Sequence, residues 1–186
     1  MKQNILPAIK LTLVCLVVFC GLYSLLILGI AQAAPHKAEG QTLLANGKVV
    51  GYALEGQSFT ADKYFNGRPS AAGYNAAGSS GSNKGPSNPD YLKVVSERVD
   101  SFLVHNPTIQ KKDIPSDLVT ASGSGLDPDI SLRGALVQAN RIAKQRNLSR
   151  EKIIELIQRH TERSNMNGID KINVLKINIE LDKLKN

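Results

Sequence analysis

The run from Val119 to Ser131 (VTASGSGLDPDIS) holds the most suggestive chemistry in the sequence. Small hydroxyl residues and glycines lead into two carboxylates, Asp127 and Asp129, and then into a helix start. Runs of this kind can turn successive backbone N–H groups toward an anion, above all ahead of a helix. The two carboxylates point the other way, since they would oppose an anion and suit a cation. A third reading needs no ligand: Asx-type hydrogen bonds close the turn, and Asp129 or Ser131 caps the next helix. Two opposed ligands drawn from one run favour this third reading. An acid–base pair made of Asp127 and Asp129 finds no substrate pocket nearby in the sequence. Arg68, in the step Arg68-Pro69-Ser70, is the other candidate. In a loop of small residues it can grip an anion or a partner's carboxylate, or tie the loop to the domain's own backbone carbonyls.

Several chemistries are excluded. No G-x-x-x-x-G-K-[ST], H-E-x-x-H, G-x-S-x-G or C-x-x-C occurs. The three histidines, His36, His105 and His160, are far apart and lack ligand spacing. His105 and His160 each fall near the end of an expected helix, where the dipole favours an imidazolium. Both cysteines, Cys15 and Cys20, lie in an apolar run, so the rest of the chain has no thiolate metal site, cysteine nucleophile or disulfide.

That apolar run, Leu11 to Ala31 (LTLVCLVVFCGLYSLLILGIA), carries no charge. A helix of this length spans ~31 Å, about the thickness of a bilayer's hydrocarbon core. The competing reading is a cleaved secretory signal, with Lys2 and Lys10 as its basic start and Ala31-Gln32-Ala33 as its cleavage pattern. A signal core is usually only ~7–15 apolar residues, so the length favours a retained anchor. Phe19 before Cys20 is too large for a lipoprotein site. Cys20, Gly21 and Ser24 put small residues on one face, where another helix can approach closely. Lys2 and Lys10 before the span place the N-terminus in the cytoplasm and the remainder outside. The expected organisation is an N-terminal segment 1–34, with a transmembrane helix over about 11–31, and one soluble domain, 35–186.

The soluble part reads as α+β, with a small sheet and three or four helices. Asn46-Gly47 between Thr42-Leu43-Leu44 and Val49-Val50-Gly51-Tyr52 predicts a hairpin with a type I′ turn. Residues 66–89 are rich in Gly, Ser, Asn, Ala and Pro. They form either a linker or a surface loop packed through Tyr64, Phe65 and Tyr74. Asn88 and Pro89 open a helix over 89–105, whose stripe is Tyr91, Leu92, Val95, Val99, Phe102 and Leu103. Ser131 caps a further helix whose face holds Leu132, Ala135, Leu136, Ala139, Ile142 and Ala143. Ser149 caps the next, which buries Ile153, Ile154 and Ile157. A turn follows at Asn165–Gly168, then a strand over Lys171–Ile177 and a short C-terminal helix with Leu181 and Leu184.

The net charge is +7. Eight basic residues against three acidic ones fall between Arg133 and Arg163. Such a face suits an acidic partner, anionic lipid or plain solvation. Nucleic acid is the least favoured partner, because aromatic residues do not interleave with these charges and the domain is expected outside, and none is assigned.

An ordered set of blocks accompanies the span: Gly56-Gln57-Ser58-Phe59; Tyr64-Phe65-Asn66-Gly67-Arg68-Pro69-Ser70-Ala71; Gly81-Ser82-Asn83-Lys84-Gly85-Pro86-Ser87-Asn88-Pro89; and Asp117 through Pro128. Gln138, Arg141-Ile142-Ala143, Arg146, Asn173 through Asn178, and Leu181-Asp182 follow. In this the chain resembles the C chain of the bacterial high-affinity potassium-transporting ATPase, the Kdp system, over essentially its whole length. Ser80-Gly81 stands where the family usually has Gly-Gly. Ile169-Asp170 stands where an acidic or amide residue and proline are frequent, which weakens any ligand role for that turn.

The resemblance implies a noncatalytic subunit of a pump in the bacterial inner membrane. A pore-forming A chain would carry potassium and a B chain would hydrolyse ATP. Membrane lipid would be a further partner. The family is described as a catalytic chaperone that raises the B chain's ATP affinity, or as an assembly subunit. An outer domain cannot touch cytoplasmic ATP, so ATP would be met through the B chain, and this chain would hold no metal or catalytic group of its own. Motif position implies Arg68, Ser70, Asn83 and Asp127 as partner or ligand contacts. The alternatives from other classes are an extracytoplasmic ligand-binding module using residues 120–131, and a secreted enzyme with the N-terminus as its signal.

Overall fold

The computed structural model describes residues 4–164 and 168–184. The chain divides into two compact units between Gln41 and Thr42. In the first, the apolar run forms one 28-residue helix, α1 (Ile5–Gln32), with a mean hydropathy of 2.7 and no part of its apolar window covered by the chain. At ~42 Å it exceeds the hydrocarbon thickness. It starts ahead of the charge-free run because Pro7 sits in its first turn, where a missing N–H costs no intrahelical bond. Between Leu16 and Leu22 the winding loosens to a π-helix.

The second unit opens with the expected hairpin. Strands β1 (Thr42–Ala45) and β2 (Lys48–Tyr52) pair antiparallel. Asn46 (φ 51°) and Gly47 (φ 74°) make the left-handed turn that joins them. Helix α2 (Pro89–His105) begins as its cap predicts: the Asn88 side chain accepts from the Tyr91 N–H at 3.0 Å. Its stripe is only partly covered, for Val99 is its one buried residue and Leu92 stays exposed.

Strand β3 (Asp129–Ser131) leads into α3 (Leu132–Leu136), α4 (Ala139–Arg146) and α5 (Arg150–Arg159). The sequence predicts one helix where α3 and α4 stand. The break falls at Val137 and Gln138, where the Gln138 N–H bonds the Ala135 carbonyl, a tighter i−3 step. The apolar face survives it: Ala135, Ala139, Ile142 and Ala143 are all buried, while Leu136 turns outward. Asn147 (φ 53°) ends α4, and Ser149 caps α5 through the Lys152 N–H. Residues 165–167 of the expected turn lie outside the described residues.

The predicted strand over Lys171–Ile177 is corrected. Strand β4 is only Lys171–Asn173 and pairs antiparallel with β3, giving a second two-stranded sheet. Asn173 then caps α6 (Val174–Lys183) by accepting from the Lys176 N–H at 3.0 Å. Over a short window the alternation of Ile172 and Val174 about Asn173 hides a helical set: Val174, Leu175, Ile177, Asn178 and Leu181 are all buried. The expected C-terminal helix is the end of this longer one. Together α3–α6 and the β3–β4 sheet enclose a core of Ile130, Ile142, Ile153, Ile157, Ile172, Ile177 and Leu181.

The run after Tyr64 is a packed loop rather than a linker. Phe65 is wholly buried in the core. The backbone around it runs extended past three buried polar side chains. Asn178 accepts from the Phe65 N–H at 2.9 Å and donates to the Phe65 carbonyl at 3.0 Å. Gln138 does the same for Asn66, at 2.8 and 3.2 Å. Arg141 donates to the Tyr64 carbonyl, to Gln138 and to Asp62. Arg146 donates to the Lys63 carbonyl and to Asp182, with its guanidinium 4.9 Å from the centre of the Tyr64 ring. Farther on, the loop lies against residues 123–125, backbone to backbone. A Cβ on Gly81 would stand 2.8 Å from the Gly123 carbonyl oxygen, so this contact demands the small residues found there.

Replacing Asn178 by leucine keeps the number and branching of the side chain's heavy atoms but leaves the Phe65 N–H and carbonyl buried and unpaired. Urea unfolding of the full chain in detergent micelles, followed by circular dichroism, should show Asn178→Leu less stable by ~2–5 kcal/mol. A second expectation concerns pH. Burial raises the Tyr74 hydroxyl above its usual value of 10.0, and Arg98 opposes this. The folded chain thus favours the neutral phenol. Its contribution is complete below the unfolded value and is lost as pH rises toward the folded one. Unfolding curves from pH 9 to 11 should decline less steeply for Tyr74→Phe than for the parent.

Candidate functional site

Three of the four residues singled out by motif position meet in one place. The Arg68 side chain leaves the packed loop and its Nη1 donates to Asp127 Oδ2 at 2.9 Å. Both side chains are about a quarter to a third exposed, at 26% and 30%. Ser70 locks the loop behind them: its hydroxyl donates to the Gly125 carbonyl at 2.7 Å and accepts from the Ala72 and Tyr74 N–H groups. The Tyr74 hydroxyl in turn donates to the Arg68 carbonyl at 2.6 Å. Asn83 is not brought to this place. It stands exposed in the loop with φ 52°.

Arg68 and Asp127 line a cleft of about 500 Å³ together with Asp117, Asp129, Arg133 and Lys171. Its charges are largely answered within the chain. Asp127 Oδ1 accepts from the Asp129 N–H at 3.1 Å, which is the Asx turn. Asp117 accepts from the Ser131 N–H at 2.7 Å. Asp129 accepts from Lys171 Nζ at 2.6 Å, and this bond is the main reason that the lysine's pKa is raised. Ser131 caps α3 through the Gly134 N–H.

The run 119–131 therefore closes on itself. Several of its amides have partners: Ala121 in the Tyr91 hydroxyl, Ser122 in the Pro69 carbonyl, and Leu126 in the Ser124 hydroxyl. An anion entering here would have to displace these bonds, and a cation would have to displace Arg68 and Lys171. Among the described residues, no cluster of His, Cys, Asp and Glu has the geometry to hold a metal.

Two of the three histidines, His105 and His160, have structural partners. His105 ends α2 with Nδ1 2.9 Å from Asp62 Oδ1, and Asp62 also receives Arg141 at 3.3 Å. His160 Nδ1 lies 3.0 Å from the Leu156 carbonyl at the end of α5. Burial pulls the Arg141 guanidinium below its usual value, while the hydrogen bond and charge of Asp62 hold it up. On α1, Cys20 and Gly21 fall within the π-wound stretch, and the Ser24 hydroxyl reaches toward the Phe19 carbonyl at 3.5 Å.

Sequence reasoning gave no role to Gln138, Arg141 or Asn178, which organise the packed loop. The signal was present: each is polar at a position where helical spacing calls for an apolar side chain, beside Ala139, Ile142 and Ile177 respectively.

The chain has extensive kin. A family model described as "KdpC: K+-transporting ATPase, c chain" matches residues 5–183. A potassium-transporting ATPase KdpC subunit of Flavobacterium psychrophilum is 51% identical over 183 residues, covering 98% of this chain and 100% of that one. Its counterpart from Bacteroides fragilis is 47% identical over 189 residues, covering 99% of each chain. One from Bacillus mycoides is 47% identical over 189 residues, covering 98% of this chain and 97% of that one. A match of this length and level, spanning both units described above, makes the chain a member of the KdpC family, the c chain of K+-transporting ATPases.

Proposed function

We propose that this chain is a noncatalytic accessory subunit of a high-affinity, ATP-driven potassium uptake complex, held by α1 in the bacterial inner membrane. One pairing of observations carries the reading. The chain is kin over nearly its whole length to proteins named as subunits of a potassium-transporting ATPase, and it bears a 28-residue helix whose apolar window no other described residue buries. Lipid tails are as apolar as leucine, so such a helix finds partners through close packing rather than hydrophobicity. Cys20, Gly21 and Ser24 supply the small side chains for that approach.

The proposed partners are a pore-forming chain and an ATP-hydrolysing chain, which carry the flux and the hydrolysis. Lys2 and Lys10 put the N-terminus in the cytoplasm and the soluble domain outside. There the domain caps the pore-forming chain and assists assembly or stability. Any gain in ATP affinity passes through partner helices, and ATP is met only through the hydrolysing chain. Arg68 and Asp127 at the cleft mouth, with Ser70 fixing their loop and Asn83 exposed in the loop, are the proposed contact residues.

Removing residues 1–34 should release the domain from membranes and abolish co-purification of the pump. Full assembly of the truncated chain would refute the anchoring role. With Cys15 and Cys20 replaced by alanine, Lys152→Cys at an exposed position of α5 should react with a membrane-impermeant maleimide in intact cells with a permeabilised outer envelope. Reaction only after lysis would place the domain inside and refute the topology.

A further inference from the structure

The β1–β2 hairpin has two unlike faces. Leu43 and Ala45 are half-buried, and on that side Ala45 and Val50 border a small hollow with Leu175 and Ile179 of α6. On the outer side, the pairings Leu44 with Val49 and Thr42 with Tyr52 collect four side chains. Val49 and Tyr52 are three residues apart and would face opposite ways in a regular strand. The register shift between Leu43 and Leu44 makes Val50 the extra residue of a bulge, and this brings them to one face. Leu44 and Val49 are each 60% exposed, and Leu54, just past the strand, is 76% exposed.

Two features say what covers this face. Residues 33–41 are all that separates the end of α1 from Thr42. Fully extended they would reach ~30 Å. Two backbone turns shorten them, Ala34 N–H to the Ala31 carbonyl at 3.1 Å and Glu39 N–H to the His36 carbonyl at 2.8 Å. A hairpin on so short a leash stays close to the bilayer. The second feature is composition. Residues 42–54 contain no acidic side chain, and the outer face offers aliphatic ends, one tyrosine and a threonine, with Lys48 at the tip. Aliphatic groups with tyrosine and lysine suit the boundary between headgroups and acyl chains. A protein surface built on charge complementarity would find little here to pair with.

We infer that the outer face of this hairpin is a membrane-docking surface, seated at the headgroup–acyl boundary of the bilayer that α1 crosses. The inference rests on α1 being a retained span. It predicts that the soluble domain is held at the membrane by two points, the helix and the hairpin.

The test uses the full chain in phospholipid vesicles, with Cys15→Ala and Cys20→Ala throughout. Single cysteines at Ser24, Val49 or Lys152 carry an environment-sensitive fluorophore, and lipids spin-labelled near the headgroup or deep in the chain act as quenchers. The Ser24→Cys label should be quenched by the deep spin label. The Val49→Cys label should lose about half its emission to the shallow one, as an insertion of ~5–10 Å requires. The Lys152→Cys label should be quenched by neither. Adding Leu44→Glu and Tyr52→Glu should return the Val49→Cys label to water while leaving the Ser24→Cys label quenched. A Val49→Cys label that behaves like Lys152→Cys, with Ser24→Cys still quenched, overturns the docking and leaves the membrane span standing. Loss of quenching at Ser24→Cys as well overturns both. Unchanged quenching at Val49→Cys after the two glutamates also overturns the inference, since the apolar face would not be what holds the hairpin.

Discussion

The soluble unit depends on how it holds one extended stretch of backbone. Phe65 enters the core, so the peptide groups beside it leave water, and an extended segment without a sheet partner has no backbone to answer them. Asn178, Gln138, Arg141 and Arg146 take that part. Two amide side chains imitate the paired donor and acceptor of a neighbouring strand, and two guanidinium groups gather the remaining carbonyls. These four residues come from α4, α6 and the joint before α4, so the loop ties together helices that meet only through the core. Breaking α3 from α4 at Gln138 follows from the same need. A continuous helix would carry residue 138 around with its turn, whereas the tighter step leaves its amide facing Asn66.

Everything downstream of Phe65 inherits this position. Arg68 leaves the held segment at a fixed point, with its carbonyl under the Tyr74 hydroxyl and its guanidinium on Asp127. Ser70 then fastens the loop to residue 125. Two runs of small residues, widely separated in sequence and of low complexity in composition, thereby become a close-packed pair of backbones. Their glycines are there for approach, since bulk at Gly81 or Gly125 would meet carbonyl oxygens at less than contact distance.

Local signals carried the parts of the fold that local physics decides. The Asn46-Gly47 turn, the Asn88, Ser131 and Ser149 caps and the apolar helix α1 were all legible, because each is settled within a few residues. The strand read over Lys171–Ile177 failed because its alternation is too short to exclude a helix, and Asn173 as a cap decides the matter. The packed loop was legible only as an alternative. Composition cannot tell a linker from a loop whose polar groups are met by side chains more than seventy residues away, such as Gln138 for Asn66. For the same reason Arg68 and Asp127 could be named as notable residues but not as partners of each other. The paradox of an anion motif carrying carboxylates dissolves once the chain's own Arg68 and Lys171 are placed against them.

This internal closure bears on where binding energy for other molecules can come from. A cleft whose carboxylates are largely answered by the chain's own amides and cations has little to gain from a polar ligand at those carboxylates, because each new bond replaces an old one. Ion pairs as open to solvent as Lys171 with Asp129 contribute little either way. The unspent free energy of this chain lies elsewhere, in apolar surface that the fold leaves uncovered. Helix α1 and the outer face of the hairpin both carry such surface. The two differ in what they ask of their surroundings. In lipid α1 is already satisfied as a single helix and discriminates among neighbours only by shape, through its small residues. The hairpin, by contrast, exposes aliphatic side chains that water penalises wherever the soluble unit stands free. Polar side chains thus hold the loops of the soluble unit in place, and the apolar surface left exposed is what remains for contact with other molecules.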